Sequence, residues 1–251
     1  MTNKEMKVTP IRTHKILPGE GNIFGVLDQY VKGFKENSIL AITSKIVSIC
    51  EGRVVLRKSV GRRKIAIQEA DLYVEPEPGK RGMLMTIKNG ILGFNSGVDS
   101  LNSNGHHVLW PKDVQKSVNI IRKYLAEKHD LRNFGVIITD TRSEPLRRGA
   151  SGMAIAGSGF SFVKNHQGEK DIFGKKIWLT KSNVLDPLAA AAVLAMGECA
   201  EQTPMAVITD IPFVEFQKKN PSQKELSEFR VDMKDDYYKA LFEKVKWKKG
   251  D

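Results

Sequence analysis

Three acidic residues stand where an apolar segment ends or a glycine-rich loop opens. Asp99 lies in Asn95-Ser-Gly-Val-Asp-Ser-Leu-Asn102, Asp140 follows the apolar run Gly135-Val-Ile-Ile-Thr139, and Glu198 follows Gly197 beyond an alanine-rich stretch. Hard cations such as Mg²⁺ or Mn²⁺ take oxygen ligands from a few carboxylates and complete their shells with substrate phosphates. Downstream of Asp140 come Arg142, Arg147 and Arg148, then Gly149 and Gly152. Guanidinium groups match phosphate and carboxylate oxygens in pairs, and glycine lets backbone N–H groups approach an anion. A strand ending in a carboxylate, then a loop of Arg and Gly, suits a metal–phosphate site. A solvent-exposed loop explains those residues equally well. Each acid taken singly is more often a turn or cap residue, and spacing alone does not make the three converge.

Other chemistries lack their residues. There is no Gly-x4-Gly-Lys-Ser/Thr loop and no Gly-x-Gly-x-x-Gly between a strand and a helix. The five histidines form no His-Glu-x-x-His frame, and the pair His106-His107 reads as loop surface rather than as metal ligands. No Gly-x-Ser-x-Gly elbow supports a serine hydrolase. Two cysteines, Cys50 and Cys199, can build neither a disulfide framework nor a four-thiolate zinc site.

Apolar residues make up 41% of the 251 and charged residues 27%, which places the chain among folded proteins rather than disordered ones. The longest apolar stretch, near Pro187 to Met196, is about half the ~20 residues of a membrane span. No secretory leader is expected over Met1 to Lys7, so the cytoplasm is the expected setting. The net charge of +11 suits anionic partners, from nucleic acid to phosphate- and carboxylate-rich small molecules. Lys239, Lys244, Lys246, Lys248 and Lys249 hold part of the excess and read as a solvated helix face. Basic and aromatic residues are not interleaved as in single-strand binders, so no specific nucleic-acid partner is expected.

The elements that must position these residues follow from periodicity and turn chemistry. Strands are expected over Met6–Arg12, Ser38–Ser44, Arg53–Arg57, Gly135–Thr139, Met153–Ala156, Phe160–Val163 and Met205–Thr209. Lys45–Ser48 either continues its strand or turns into a short helix. Asn22 should cap a helix to about Phe34, and Pro111 should open another carrying Val114, Val118, Ile121 and Leu125. Lys88-Asn-Gly90 predicts a hairpin within Gly82–Phe94. Asn95–Gly105 and Thr141–Gly152 read as polar loops. An alanine-rich helix should cover Leu185–Ala200, Ser222–Glu225 has capping-box spacing, and a last helix should span Asp235–Lys246. Without a strict βαβ rhythm, the class is α+β. No linker marks a boundary, so one domain is expected, with residues 211–251 as a candidate small helical extension.

Six ordered blocks give these residues a context. They are Ser44-Lys-Ile-Val-Ser48 with Glu51-Gly-Arg-Val-Val55; Asn95-Ser-Gly-Val-Asp99 with Asn102; Val136-Ile-Ile-Thr-Asp-Thr141; Arg148-Gly149 with Gly152 and Ala154-Ile155; Asp171-Ile-Phe-Gly174; and Asp186 through to Met196-Gly-Glu198. Over roughly Thr9 to Ile208 the chain resembles the coenzyme F420-0:L-glutamate ligases, nearest to the bacterial subgroup described as folate-metabolism γ-glutamate ligases. The resemblance implies a mixed α/β fold in an intertwined homodimer, with GTP and two divalent cations, Mg²⁺ or Mn²⁺, at the site. K⁺ is a further candidate cation. Carried over by position, Asp99 and Asp140 would hold one metal, and Thr141 and Glu198 the second. Nucleotide contacts would come from His14, Lys15, Ile16 and Leu17, from Ser44 and Lys45, and from Asn102. The segment Met196, Gly197, Glu198, Cys199, Ala200, Glu201, Gln202 and Thr203 would supply the rest.

One position departs from the family pattern. Many F420-0 ligases read Ser-Lys-Ala-Glu-Gly-Arg where this chain has Ser48-Ile-Cys-Glu-Gly-Arg53, so the lysine expected at phosphate is Ile49. Lys45 could supply that charge if the stretch is helical, since residues i and i+4 share a face. The expected reaction joins L-glutamate to a carboxylate of F420-0 or of a folate through an acyl phosphate. Arg142, Arg147 and Arg148 are candidates for holding phosphate or carboxylate there, on chemistry alone. Two other readings stand beside the ligase: a basic nucleic-acid-binding module, and an idle relative that only binds a nucleotide.

Overall fold

The computed structural model describes residues 5–76 and 82–251. Residues 1–4, part of the stretch on which no secretory leader is expected, lie outside the described residues. Strand β1 (Lys7–Ile11) precedes helix α1 (Ile23–Tyr30), and β2 (Ile39–Thr43) runs straight into α2 (Ser44–Cys50). Then come β3 (Val54–Leu56), α3 (Arg62–Gln68), β4 (Leu72–Val74), β5 (Met85–Lys88), β6 (Ile91–Phe94) and β7 (His106–Val108). Helix α4 (Val114–His129) is followed by β8 (Gly135–Ser143), β9 (Ala150–Ser158), β10 (Val163–Asn165) and β11 (Lys181–Asn183). The chain closes with α5 (Leu185–Met196), β12 (Met205–Thr209), α6 (Gln223–Phe229), α7 (Lys239–Phe242) and β13 (Lys248–Lys249).

The main sheet has the order β1-β12-β2-β8-β9, with β2 and β8 parallel and the other neighbours antiparallel. Its central strands are apolar on both faces because both faces are covered. Leu40, Ile42, Val136 and Ile138 pack in the core that α1 and α4 share, while Ile39, Ala41 and Ile137 pack with Leu188, Ala189 and Ala192 of α5. Gly152 of β9 lets α5 come close: a Cβ there would lie 2.6 Å from Val193 Cβ and 2.9 Å from the Ala189 carbonyl oxygen. The fold is thus α+β, with helices on both faces of a mixed sheet.

A second, four-stranded sheet has the order β13-β4-β5-β6. Its β5–β6 turn is Asn89-Gly90, with φ of +52° and +72° as a two-residue hairpin turn of type I′ needs. From β6 the chain passes through a short 3-10 turn, Asn95–Gly97, and carries Asp99 across to the main sheet's strand ends. Asp99 and Val108 bond each other's backbone at 2.9 and 2.8 Å, which fixes the height of that loop.

Several sequence expectations are corrected. The segment Thr141–Gly152 is no loop: β8 continues to Ser143 and pairs with β9 from Ala150, with a bulge between Ile138 and Thr139. The α4 helix starts at Val114 and not at Pro111, because Asp113 Oδ1 accepts the Lys116 N–H at 2.9 Å and so is the cap. Helix α5 stops at Met196, since Gly197 takes φ of +79°. The expected helix over Asp235–Lys246 shrinks to the single turn α7. His106 and His107 form β7 rather than loop surface, and His107 is buried with Nδ1 2.7 Å from Ser100 Oγ. Helix α3 and strand β4 were not anticipated. The Ser222–Glu225 capping box is present as expected.

Candidate functional site

The parallel strand ends of β2 and β8, the Asp99 loop and the segment after α5 enclose one open cavity of about 960 Å³. Such a place is expected for a ligand, because strand ends leave a crevice that loops can line. Thr43 ends β2, and its Oγ1 accepts the Lys45 N–H at 3.4 Å, so strand turns to helix within one residue. That turn sends Ser44, Lys45 and Ile49 to the cavity wall. The Lys45 ammonium lies 2.6 Å from Asp99 Oδ2 and donates to the Leu101 carbonyl at 3.1 Å.

Asp99 is an anchored carboxylate. Its Oδ1 accepts the Ser100 and Leu101 N–H groups at 2.5 and 2.8 Å. Burial pushes its carboxyl up, but those N–H groups and the Lys45 ammonium outweigh burial and hold it below the usual carboxylate value. Asp140 stands at the end of β8's apolar run with the opposite balance. Its Oδ2 accepts the Trp110 indole N–H, and its Oδ1 the Thr141 N–H at 2.8 Å. Burial nevertheless raises it to about 6, and the nearby Asp99 charge adds to the rise. Glu198 is raised too, first by burial and then by Asp99 and Glu201 against the lowering effect of Lys45.

These oxygen donors, with the Thr141 hydroxyl, are the kind a hard divalent cation takes. Burial raises Asp140 and Glu198 and the Asp99 charge adds to both, a cost that a bound cation would relieve, so these oxygen donors fit one. Among the described residues no three His, Cys, Asp or Glu side chains form a ready ligand group. A cation here would therefore draw part of its shell from Thr141, water and a bound anion.

The segment Met196–Thr203 closes the opposite wall. Gly197 takes φ of +79°, a left-handed backbone that favours glycine. Thr203 Oγ1 donates to the Met196 carbonyl, and the Cys199 N–H donates to Glu201 Oε2 at 2.8 Å. Asn102 Nδ2 donates to the Cys199 carbonyl at 2.5 Å, tying this segment to the Asp99 loop. His14–Leu17 complete the wall, with the His14 backbone N–H bonded to Tyr30 Oη at 3.0 Å.

The candidate site residues are thus brought together with two exceptions. Arg142 lines the cavity, its Nε 2.8 Å from Glu144, whereas Arg147 and Arg148 sit at the exposed β8–β9 turn and outside the cavity wall. Sequence reasoning missed Trp110 and Arg62, which line the cavity, and the exposed apolar side chains Met83, Phe94 and Leu101 beside them. No motif flags any of the five.

The fold is α+β, and its cavity brings the cationic side chains of Lys45, Arg62 and Arg142 together with the acids Asp99, Asp140 and Glu198. The profile of the family described as F420-0:Gamma-glutamyl ligase matches residues 10–210. A coenzyme F420:L-glutamate ligase of Methanococcus maripaludis is 33% identical over 193 residues, which cover 71% of this chain and 77% of that protein. The protein of that name from Methanocaldococcus jannaschii is 32% identical over 211 residues, covering 76% and 83%. That from Methanothermobacter thermautotrophicus is 28% identical over 207 residues, covering 76% and 82%. The chain belongs to the F420-0:γ-glutamyl ligase family and is a γ-glutamyl ligase. Among the described residues no helix is long and apolar enough to cross a membrane.

Proposed function

We propose that the chain uses GTP to join L-glutamate to a carboxylate of a flat, anionic acceptor, F420-0 or a folate, in the cytoplasm. The observation that carries this reading is the convergence of Lys45, Asp99, Asn102, Asp140, Arg142 and Glu198 on one cavity from four separate stretches of chain. An amide does not form from a carboxylate and an amine in water without activation. In the proposed course an acceptor carboxylate oxygen attacks the γ-phosphorus, and GDP leaves with the electron pair of the broken P–O bond. The glutamate amine then attacks the acyl carbon, phosphate leaves with the C–O pair, and the amine proton passes to phosphate or solvent.

Asp99 and Asp140 would hold one Mg²⁺ or Mn²⁺, and Thr141 and Glu198 a second; bound there, the cations would neutralise charge on the transferring phosphoryl group. Lys45 takes the place of the phosphate lysine that Ile49 lacks, and moves from Asp99 to phosphate when nucleotide arrives. Arg142 holds a carboxylate or phosphate at the other side. His14–Leu17 and Met196–Thr203 enclose the rest of the nucleotide. Met83, Phe94 and Leu101 give an apolar wall on which the acceptor's ring rests. The apolar residue at position 49 favours the folate over F420-0.

The homodimer is part of this proposal. The arm that holds β10 and β11 exposes Ile172, Phe173, Trp178 and Leu179, more apolar surface than a free arm would leave to water. Nucleotide hydrolysis coupled to glutamate, with F420-0 and reduced folates offered separately and product mass measured, tests the reading. A product heavier by one glutamyl residue is expected. Hydrolysis independent of glutamate and every acceptor would overturn it.

A further inference from the structure

Trp110 contributes more than packing. It is almost wholly buried, and its indole offers one donor and no acceptor. That donor goes to Asp140 Oδ2, while Asp140 Oδ1 takes the Thr141 N–H at 2.8 Å. Each carboxylate oxygen thus holds one protein donor and keeps lone pairs for a ligand. Turning the carboxylate about its Cβ–Cγ bond would break both bonds.

Trp110 is held from three sides, two of them at the ring and one at the backbone. A Cβ on Gly97 would lie 2.1 Å from Trp110 Nε1, so only glycine leaves the ring its place. Arg53 Nε donates to the Trp110 carbonyl at 3.0 Å. The Lys88 ammonium stands 5.5 Å from the ring centroid, over the face that attracts cations. Arg53 and Lys88 in turn share Glu69 Oε2 at 2.6 and 2.5 Å. An ion-paired cluster between the second sheet and α3 therefore ends, through one indole, on a carboxylate of the cavity.

We propose that Trp110 is a positioning residue for cation binding: its N–H, with the ring set by Gly97 and Lys88 and the backbone held by Arg53, sets the orientation in which Asp140 meets a divalent cation. This rests on Asp140 being a cation ligand. Trp110→Phe keeps most of the ring and removes only the donor. Hydrogen bonds to a ligating group are worth about 10–100-fold in metal affinity. Mn²⁺ affinity, read by electron paramagnetic resonance of the free ion, should therefore fall at least about tenfold. Circular dichroism should show the fold kept.

A second measurement needs no variant. Of the three indole N–H signals in ¹⁵N spectra of the unaltered protein, that of Trp110 should shift with Mg²⁺ and broaden with Mn²⁺, while those of Trp178 and Trp247 stay. Equal Mn²⁺ affinity in the two proteins, or a Trp110 signal indifferent to both ions while Mn²⁺ binds, overturns the positioning role alone. Failure of the unaltered protein to bind Mn²⁺ overturns the cation reading with it.

Discussion

Lys45 and Ile49 stand one turn apart on α2 and both face the cavity, yet only Lys45 brings charge into it, 2.6 Å from Asp99. Lys45→Ala should raise the KM for nucleotide tenfold or more, as loss of a charge-assisted contact worth about 1.5–3 kcal/mol implies. Ile49 is only 4% exposed, so Ile49→Lys would bury an ammonium. That variant should lower Tm and fail to restore Lys45→Ala. Steady-state kinetics with thermal melts of the single and double variants check both statements; rescue by Ile49→Lys would show that the nucleotide reaches Ile49.

Asp99→Asn and Asp140→Asn should each abolish cation-dependent turnover with little change in far-UV circular dichroism. A neutral amide keeps shape but gives up the charge that a divalent cation takes between phosphates. Chelation of the unaltered enzyme should have the same effect, and Mg²⁺ or Mn²⁺ should reverse it. Full activity in chelator would exclude the proposed cation chemistry.

Elements whose surroundings are uniform were legible in the sequence. The strands β2 and β12 lie between covered faces, so their apolar runs mark them, and Asn22 and Ser222 announce their helices by their own side-chain bonds. The distal halves of β8 and β9 were not legible, because Thr141, Arg142, Ser151 and Gly152 end a sheet beside a cavity and carry no apolar alternation. At the site, the acids could be singled out one by one. Their meeting depends on the Asn95–Gly97 turn and on the Asn102–Cys199 bond, which spans 97 residues. Trp110 gave no signal, since its role lies in where its N–H points.

Cys199 lines the cavity and is exposed, while Cys50 is half-buried and its thiol is raised to about 11, chiefly by burial and then by Glu51. The thiolate is the nucleophile, so Cys50 stays protonated and slow through neutral pH. Iodoacetamide at neutral pH should label Cys199 first, and saturating GTP with Mg²⁺ should protect it. Peptide mass spectrometry reads both sites; labelling of Cys199 at the same rate with nucleotide bound would place the nucleotide elsewhere.

Phe173 and Trp178 are 88% and 72% exposed on the β10–β11 arm. If the arm docks on a second copy, Phe173→Asp with Trp178→Asp should convert a dimer to a monomer in light scattering after gel filtration. The single chain should keep its far-UV spectrum. An unaltered protein that is monomeric at tens of micromolar would remove the arm from the account of assembly.

Glu69 joins Arg53 and Lys88 in the partly buried cluster behind Trp110. Burial pushes its carboxyl up, but the bonds from Lys88 and Arg53 win and hold it below the usual value. Lys88 is lowered as well, because its own burial outweighs Glu69. The two directions oppose each other in stability: the depressed acid stabilises at neutral pH, and the depressed lysine costs. The acid decides the acid limb, since Lys88 is fully protonated there in both states. With a folded pKa below the unfolded one, Glu69 contributes its stability above the unfolded carboxylate range and loses it as pH falls through its folded value. Glu69→Gln should cost about 3 kcal/mol at pH 7, the low end for breaking a buried pair, because Lys88 is left buried without its acid. Between pH 5 and the folded value, the variant's stability should fall less steeply than that of the unaltered protein. Lys88→Met in the same chain should recover much of the loss by removing the stranded charge. Urea titrations across that pH range measure all three proteins, and a Glu69→Gln curve parallel to the unaltered one would show that Glu69 does not titrate on unfolding.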